Sequence, residues 1–228
     1  MASQFTYEAD GNMVSRTDAL GRTTSYSFNS LGQKISQVTP TPTSPTGSSA
    51  STTTYTYDPF GNLTQTAAPL IRTTYSTYDA NGNKLSDTDA RGNVTTYIYD
   101  ALNRLVETDY PSNPSTPATK ATKSYDFRNN VIDAVDQAGN DTHYTYDPAG
   151  RLTSVTHGYN STTTTPTTTY YLYDKANRKT SETDAYGTPN AVTTNYNYDN
   201  DGRLTAISGP AGNFTYAYDD AGNRTSQT

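Results

Sequence analysis

Residues 78–105 read YDANGNKLSDTDARGNVTTYIYDALNRL, and the same pattern begins twice within this stretch. The Tyr-Asp pair at position 78 recurs at position 99, 21 residues later. Each pair is followed by two residues, then Gly82 or Asn103, and then a polar residue. Asp at the first position of a type I turn accepts backbone N–H groups, and Gly or Asn supplies the positive φ that closes such a hairpin. The stretch therefore predicts strands joined by tight turns.

The pattern recurs ten times along the chain, with a basic spacing of 21 residues. Its aromatic anchors are Tyr7, Phe28, Tyr57, Tyr78, Tyr99, Tyr125, Tyr146, Tyr173, Tyr198 and Tyr218. The turns after the anchors are predicted from Asp58, Asp79, Asp100, Asp126, Asp147, Asp174, Asp199 and Asp219, and from Gly11, Gly32, Gly61, Gly82, Gly150, Gly202 and Gly222. The segments between turns are rich in Thr, Tyr and Val, which favour strands. We therefore predict an all-β fold, an antiparallel meander of about ten 21-residue units.

A second turn signal, Asp-x-x-Gly, lies near the middle of several units, at 18–21, 89–92, 136–139 and 184–187. Pro-, Ser- and Thr-rich insertions replace or extend this second turn at 39–54, 111–123, 156–169 and 187–192. Such segments bury few apolar groups, so we predict surface loops on one side of the sheet. We expect residues 1–228 to form a single array that is an excerpt of a longer protein.

A second aromatic residue stands two positions before the anchor in eight of the ten units, as Tyr55 stands before Tyr57. Residues two apart on a strand share a face, so the rings are predicted to form a ladder along one face. Leu, Ile, Val and Phe together fall below the roughly 20% typical of ordered chains, but 21 tyrosines compensate. We therefore expect a thin core built from tyrosine. Ser76 and Lys123 interrupt the ladder, and local weakening is expected there.

A unit of the form Y-D-x-x-G-[RN]-L resembles the YD repeat of the Rhs family, which is related to toxin-complex shell proteins and teneurins. The matching stretches are 57–63, 146–152 and 198–204. The resemblance implies a long sheet that winds as a spiral, of which this chain would be an open segment of a β-shell. In the family such a shell can enclose a C-terminal toxin or another domain.

The resemblance also implies an aspartyl autoprotease segment, P-x-x-x-x-D-P-x-G-L, in some members. Here Asn62 and Arg151 replace its Leu, and Thr53 and Thr142 stand in place of its first Pro. Cleavage and toxicity are therefore not predicted for this chain.

The charge and composition of the chain exclude two kinds of partner. The net charge is −6, the pI is about 4.8, and the 16 basic residues are scattered, whereas phosphate contacts need clustered Lys and Arg. No apolar run approaches the ~20 residues that span a bilayer, and the first ten residues lack the apolar segment of a secretory signal. We therefore predict no nucleic-acid partner and no membrane insertion.

Candidate catalytic groups are few. His143 and His157 share no Ser-His-Asp or metal-ligand spacing, and we predict that both face solvent. The stretches 79–82 and 199–202 faintly resemble calcium loops, but the downstream Glu of an EF-hand is missing. We predict no catalytic residue, no metal site and no cofactor, and hence no enzyme.

Three functions remain. The preferred one is a structural repeat module, a wall segment of an Rhs-type shell or an extracellular scaffold, in contact with the cargo or neighbouring repeats of a longer chain. A carbohydrate or cell-surface binding module is the second, with possible ligand-stacking rings at Tyr97, Tyr144, Tyr171 and Tyr196. The third is self-association into a filament through open sheet edges. Binding predicts solvent-exposed rings, whereas a scaffold predicts rings packed on their neighbours. We expect a secreted or bacterial cell-surface location.

Overall fold

A computed structural model describes residues 2–40, 50–70, 72–112, 119–160 and 165–228. These residues form strands, turns and irregular connections, so the all-β antiparallel prediction is confirmed. The chain divides into two units, residues 1–119 and 120–228. Across the described ranges, no helix has the length and apolar character needed to cross a membrane.

The first unit is a meander in which each strand pairs antiparallel with the next. Its strands are β1 (Gln4–Tyr7), β2 (Met13–Thr17), β3 (Thr23–Phe28), β4 (Lys34–Pro40), β5 (Ala50–Tyr57), β6 (Leu63–Ala68), β7 (Arg72–Tyr78), β8 (Lys84–Thr88), β9 (Val94–Tyr99) and β10 (Leu105–Tyr110). Every anchor aromatic of this unit is the last residue of an odd-numbered strand.

The second unit repeats the arrangement. Its strands are β11 (Thr119–Tyr125), β12 (Val131–Val135), β13 (Asp141–Tyr146), β14 (Leu152–His157), β15 (Thr167–Tyr173), β16 (Lys179–Asp184), β17 (Val192–Tyr198), β18 (Leu204–Gly209), β19 (Gly212–Tyr218) and β20 (Arg224–Gln227). We call the turn after an odd-numbered strand a YD turn and the turn after an even-numbered strand a return turn.

The hairpin at each YD turn contains a register shift, as expected where a type I turn is followed by a left-handed residue. Tyr57 pairs with Leu63, but Thr56 pairs with Gln65, so Thr64 has no opposite residue on β5. All ten YD hairpins show this shift, whereas the pairs across the described return turns keep register. An extra residue of this kind increases local twist and bends the strand.

In each unit the two faces of the sheet carry different kinds of side chain. In β17, Tyr196 and Tyr198 are half-buried, while the alternating Asn195 and Asn197 are exposed. The same alternation occurs in β3, β5 and β19. We call the face with the anchor aromatics the tyrosine face. The opposite face, the hydroxyl face, carries cross-strand Ser and Thr pairs such as Thr145 with Ser154, whose oxygens lie 2.6 Å apart.

The prediction of a core built from tyrosine is wrong in one respect. None of the apolar side chains in the described ranges is buried, and the buried residues are Thr108, Ser154, Thr156 and Ser181. The rings of the tyrosine face therefore form a ladder that is half-buried along most of its length, with Phe5 and Tyr7 exposed at its start.

Two predictions about the return turns need correction. Strands extend into the predicted insertions, because Thr-rich segments have high β-propensity and find partners, as in the pairing of Thr39 with Ser51. Residues 41–49, 113–118 and 161–164 of those insertions lie outside the described residues. The predicted Asp184–Gly187 turn is wrong in its closure: residues 185–187 form a turn, but Asp184 ends β16 and its carboxylate accepts a hydrogen bond from Thr169.

Candidate functional site: the YD turns and the tyrosine face

The YD turn is closed by its aspartate in the manner predicted. At Asp147, Oδ1 accepts the backbone N–H of Ala149 at 2.9 Å and that of Arg151 at 3.0 Å. The Gly150 N–H donates to the Asp147 carbonyl at 2.9 Å, and Gly150 has a φ of 81°. One carboxylate thus satisfies two backbone donors that the hairpin leaves unpaired.

The residue after the turn glycine completes the site, and its role was missed from the sequence, where it was noted only as polar. The Arg151 Nε donates to Asp147 Oδ2 at 2.6 Å, and the Asn62 Nδ2 donates to Asp58 Oδ2 at 2.9 Å. The available signal was that this position is Arg or Asn in every YD turn except one, which has Gln33. In the YD turns, the residues that bond the aspartate in this way are Asn62, Asn83, Arg104, Asn130, Arg151, Arg178, Arg203 and Asn223, and in three return turns they are Arg22, Asn93 and Asn140.

One turn uses a different pair of side chains with the same geometry. Asn29 stands in place of the aspartate, and its Oδ1 accepts the N–H of Leu31 and of Gln33, both at 3.0 Å. Its amide then donates to the Gln33 side-chain oxygen at 2.7 Å. Both positions differ from those of the other turns here and their side chains still bond each other, which indicates that the pair is part of the turn.

The same hydrogen bonds lower the pKa values of the turn carboxylates. The backbone N–H of Arg151, with its side chain and the Ala149 N–H, holds the pKa of Asp147 below its usual value. At Asp58 the Asn62 side chain is the largest cause of the lowered pKa. Eleven turn aspartates behave alike: Asp18, Asp58, Asp79, Asp89, Asp100, Asp126, Asp136, Asp147, Asp174, Asp199 and Asp219. Hydrogen bonds to the charged form favour it.

The anchor tyrosines tie each repeat to the preceding one. The Tyr57 hydroxyl donates to the carbonyl of Lys34, the first residue of the preceding strand β4, at 2.9 Å. Equivalent bonds to the first residue of the preceding even-numbered strand are made by Tyr78, Tyr146, Tyr173, Tyr198 and Tyr218. This contact explains why the anchor is tyrosine at nine of ten positions: the ring packs within the ladder while its hydroxyl satisfies a backbone acceptor.

The hydroxyl contribution can be measured at Tyr146, which donates to the Val131 carbonyl at 3.0 Å. We expect Tyr146→Phe to lower the free energy of unfolding by about 0.5–1.5 kcal/mol, because the ring stays and one hydrogen bond is lost. Tyr144→Phe is the matched control, since Tyr144 lies on the same strand and face and is also half-buried. Urea unfolding of both variants gives the comparison, and equal losses would contradict the assigned role.

Arginines extend the coupling along the YD turns of the second unit. Besides bonding its own aspartate, Arg151 donates to the Asp174 carbonyl of the next YD turn at 2.8 Å, and its guanidinium lies 4.9 Å from the centroid of the Tyr173 ring. Arg178 and Arg203 repeat both contacts one and two turns further on. A guanidinium over a ring within about 6 Å is a cation–π contact. Each arginine therefore links two neighbouring repeats.

Lysines take part in the tyrosine face where the strand after the YD turn lacks leucine. Lys179 lies opposite Tyr173, with its ammonium 5.6 Å from the Tyr171 ring and 4.7 Å from the Tyr196 ring. Burial works against its charge, but the hydrogen bond and charge of Glu182 outweigh this and raise the pKa of Lys179. The cation thus fills space between rings on two different strands.

The four tyrosines considered for ligand stacking are half-buried on the tyrosine face. The Tyr97 hydroxyl donates to Asp87 at 3.0 Å, and burial together with this bond raises the pKa of Tyr97 to about 12. Tyr171 and Tyr196 flank Lys179, and Tyr144 lies beside the anchor Tyr146. Ligand stacking at these rings stays a prediction.

The prediction that His143 faces solvent is wrong, because its side chain is held by contacts on the hydroxyl face. Its Nδ1 lies 2.6 Å from Asp133 Oδ1, and its ring stacks on Tyr159 with centroids 4.3 Å apart. Ser124 donates to the other Asp133 oxygen at 2.9 Å. The serine therefore bonds the carboxylate and not the imidazole, unlike the arrangement that activates a serine nucleophile. His157 is exposed, with Nδ1 3.1 Å from the Thr142 hydroxyl.

In the calcium-like stretches, the first aspartate is already hydrogen-bonded within its turn. Asp199 bonds the Asp201 and Arg203 N–H groups through Oδ1 and the Arg203 guanidinium through Oδ2. Within the described ranges, no three His, Cys, Asp or Glu side chains gather as a metal site would need.

Comparison with known protein families gives a match to the repeat. The sequence model of the RHS Repeat family matches residues 7–44, 78–114, 125–162 and 198–228, which is more than half of the chain. No curated protein matches the chain.

Several solved toxin structures are similar over most of this chain. The crystal structure of TcdB2-TccC3 without its hypervariable C-terminal region shares 15% identity at a TM-score of 0.49, over 97% of this chain and 16% of its own. TcdB2-TccC3 itself shares 16% identity at 0.47, over 99% and 17%. A Tc holotoxin pore from Photorhabdus luminescens shares 16% identity at 0.36, over 95% and 15%. The chain spans less than a fifth of these proteins. On the strength of the repeat itself and of the matching family model, the chain belongs to the RHS repeat family.

Proposed function

We propose that the chain is a non-enzymatic structural module, a wall segment of an Rhs-type encapsulating shell or of an extracellular scaffold. In this proposal it is continuous with further repeats and with cargo in a longer, secreted or surface-exposed protein. The observation that carries the proposal is that the repeated polar groups bond to one another. Aspartates close turns, tyrosine hydroxyls bond the preceding repeat, and arginines bond the next one.

The state of the rings supports a wall over a sugar-binding surface. A binding ladder would present its rings to solvent, but Tyr171 and Tyr196 are half-buried and enclose a lysine. Side chains that already make contacts within the chain make the sheet more rigid. A spiral winding of the sheet remains part of the proposal.

Light scattering of the purified chain over a wide concentration range, with electron micrographs of the same samples, tests this proposal. We expect a constant mass of one chain and compact particles, because a wall segment satisfies its own contacts. Mass that grows with concentration, with filaments in the micrographs, would overturn the wall in favour of self-assembly.

Retention on a panel of immobilised neutral and acidic glycans tests the adhesion alternative. We expect no retention. Retention that is lost in Tyr171→Ser and Tyr196→Ser but kept in Tyr186→Ser, on the opposite face, would favour a binding module instead.

A further inference from the structure

Two tyrosines on the hydroxyl face of the second unit lie in direct ring contact. Tyr170 of β15 and Tyr186 after β16 have centroids 4.8 Å apart and an interplanar angle of 24°. In the described part of the chain, this is the only stack formed by two tyrosines. Tyr170 is half-buried, and Tyr186 is 53% exposed, so one ring is fixed in the sheet and the other is open to small solutes.

The backbone around Tyr186 is built to hold this stack. The Tyr186 N–H donates to the Thr168 carbonyl of β15 at 2.9 Å. The Ala185 carbonyl accepts both the N–H and the hydroxyl of Thr188, at 3.1 and 2.8 Å. Ala185 has a φ of 50°, a conformation that alanine adopts only where surrounding contacts impose it. This loop replaces the ordinary Asp-x-x-Gly turn, and its result is a ring placed over Tyr170.

We propose that Tyr170 and Tyr186 are a site of oxidative tyrosine coupling. A one-electron oxidant removes one electron from each phenol, and each loses its hydroxyl proton to water. The two radicals join through the ring carbons next to the hydroxyl-bearing carbons, forming one C–C bond. The hydrogens on those two carbons then move to the oxygens and restore both phenols, so two electrons and two protons leave in total.

Proximity favours this pair over other tyrosines, because coupling between preset rings is unimolecular. The chain has no cysteine, so a tyrosine bridge supplies a covalent staple that a disulfide cannot. The bridge would close the segment between residues 170 and 186 and fix the return turn after β16 to the sheet. Cross-links of this kind restrict the unfolded chain.

Tyr159 is a control supplied by the structure. It is 51% exposed on the same unit, but it stacks on His143 and not on a tyrosine. If exposure alone governed coupling, Tyr159 and Tyr186 would react alike.

The test is photo-oxidation of the dilute chain with tris(bipyridine)ruthenium(II) and persulfate, followed by trypsin digestion and mass spectrometry. Cleavage after Lys175 and Lys179 separates the two tyrosines, so a bridge appears as a joined peptide pair lacking two hydrogens. We expect one dominant pair, joining Tyr170 to Tyr186, with a yield that is independent of protein concentration. Tyr186→Phe keeps a ring but cannot form the phenoxyl radical, so dityrosine fluorescence should fall to background. Tyr159→Phe should leave it unchanged.

Two outcomes would overturn the proposal. One is coupling between molecules that rises with concentration and involves Tyr159 as often as Tyr186. The other is dityrosine fluorescence that Tyr186→Phe does not reduce. Circular dichroism before oxidation confirms that each variant is folded. A second readout is thermal: the melting temperature of the oxidised chain should rise, and that of oxidised Tyr186→Phe should not.

Discussion

Gly150→Val is expected to lower the free energy of unfolding by about 1–3 kcal/mol. Gly150 has a φ of 81°, and a Cβ added there meets no atom within 4 Å. The cost is therefore backbone strain, because a β-branched residue is a genuine outlier at positive φ. Chemical denaturation followed by circular dichroism measures it.

Gly150→Asn is the matched control, because the chain itself uses asparagine at this place in other YD turns. Asn103, Asn129 and Asn177 have φ values of 59°, 68° and 64°. We expect a clearly smaller loss for the asparagine variant than for valine. An unchanged stability in Gly150→Val would show that the YD turn does not need a left-handed residue.

Acid is expected to unfold the chain cooperatively, with the uptake of several protons. The eleven turn aspartates have lowered pKa values in the folded state, and Asp147 and Asp58 represent the two kinds of side-chain partner. In the unfolded chain an aspartate titrates near about 3.9. Their stabilisation is thus complete above that value and is lost as the pH falls through the lower folded-state values, because the unfolded chain binds more protons. Stability should be flat down to about pH 5 and fall steeply below about pH 4.

Salt separates this cause from general charge repulsion. Short hydrogen bonds within a turn survive ionic strength, whereas long-range repulsion is screened over about 3 Å at 1 M salt. We expect the acid transition to persist in 1 M NaCl with a similar number of protons bound. A transition that disappears in salt would assign acid unfolding to net charge and not to the turn aspartates.

The period, the strand order and the YD turns could be predicted because each depends on local chemistry. The aspartate at 147 and the glycine at 150 favour a turn through contacts within four or five residues. The contacts between repeats could not be predicted in the same way. Tyr173 bonds the Leu152 carbonyl, and Arg151 bonds the Asp174 carbonyl. Both bonds depend on the register that the shift in the YD hairpin sets.

The return turn after β16 shows where a local pattern fails. Asp184 to Gly187 carries the letters of a closed turn, but β16 runs through Asp184, and Thr169 on the neighbouring strand bonds its carboxylate. Stacking of Tyr186 on Tyr170 adds a contact that the four letters do not contain. His143 was mispredicted for a similar reason, since Asp133 and Tyr159 are remote in sequence.

Our proposal requires that the repeated Tyr, Asp and Gly positions of each unit are held in hydrogen bonds within the repeats and are not free to serve a ligand. Residue-resolved amide hydrogen exchange of the purified chain tests this requirement. The N–H groups of Gly61 and Asn62, which bond the Asp58 carbonyl and carboxylate, should be protected as strongly as those of the flanking strands. Exchange of the YD-turn amides at the rate of an unfolded chain, while the strands stay protected, would contradict the claim and leave the aspartates available for another role.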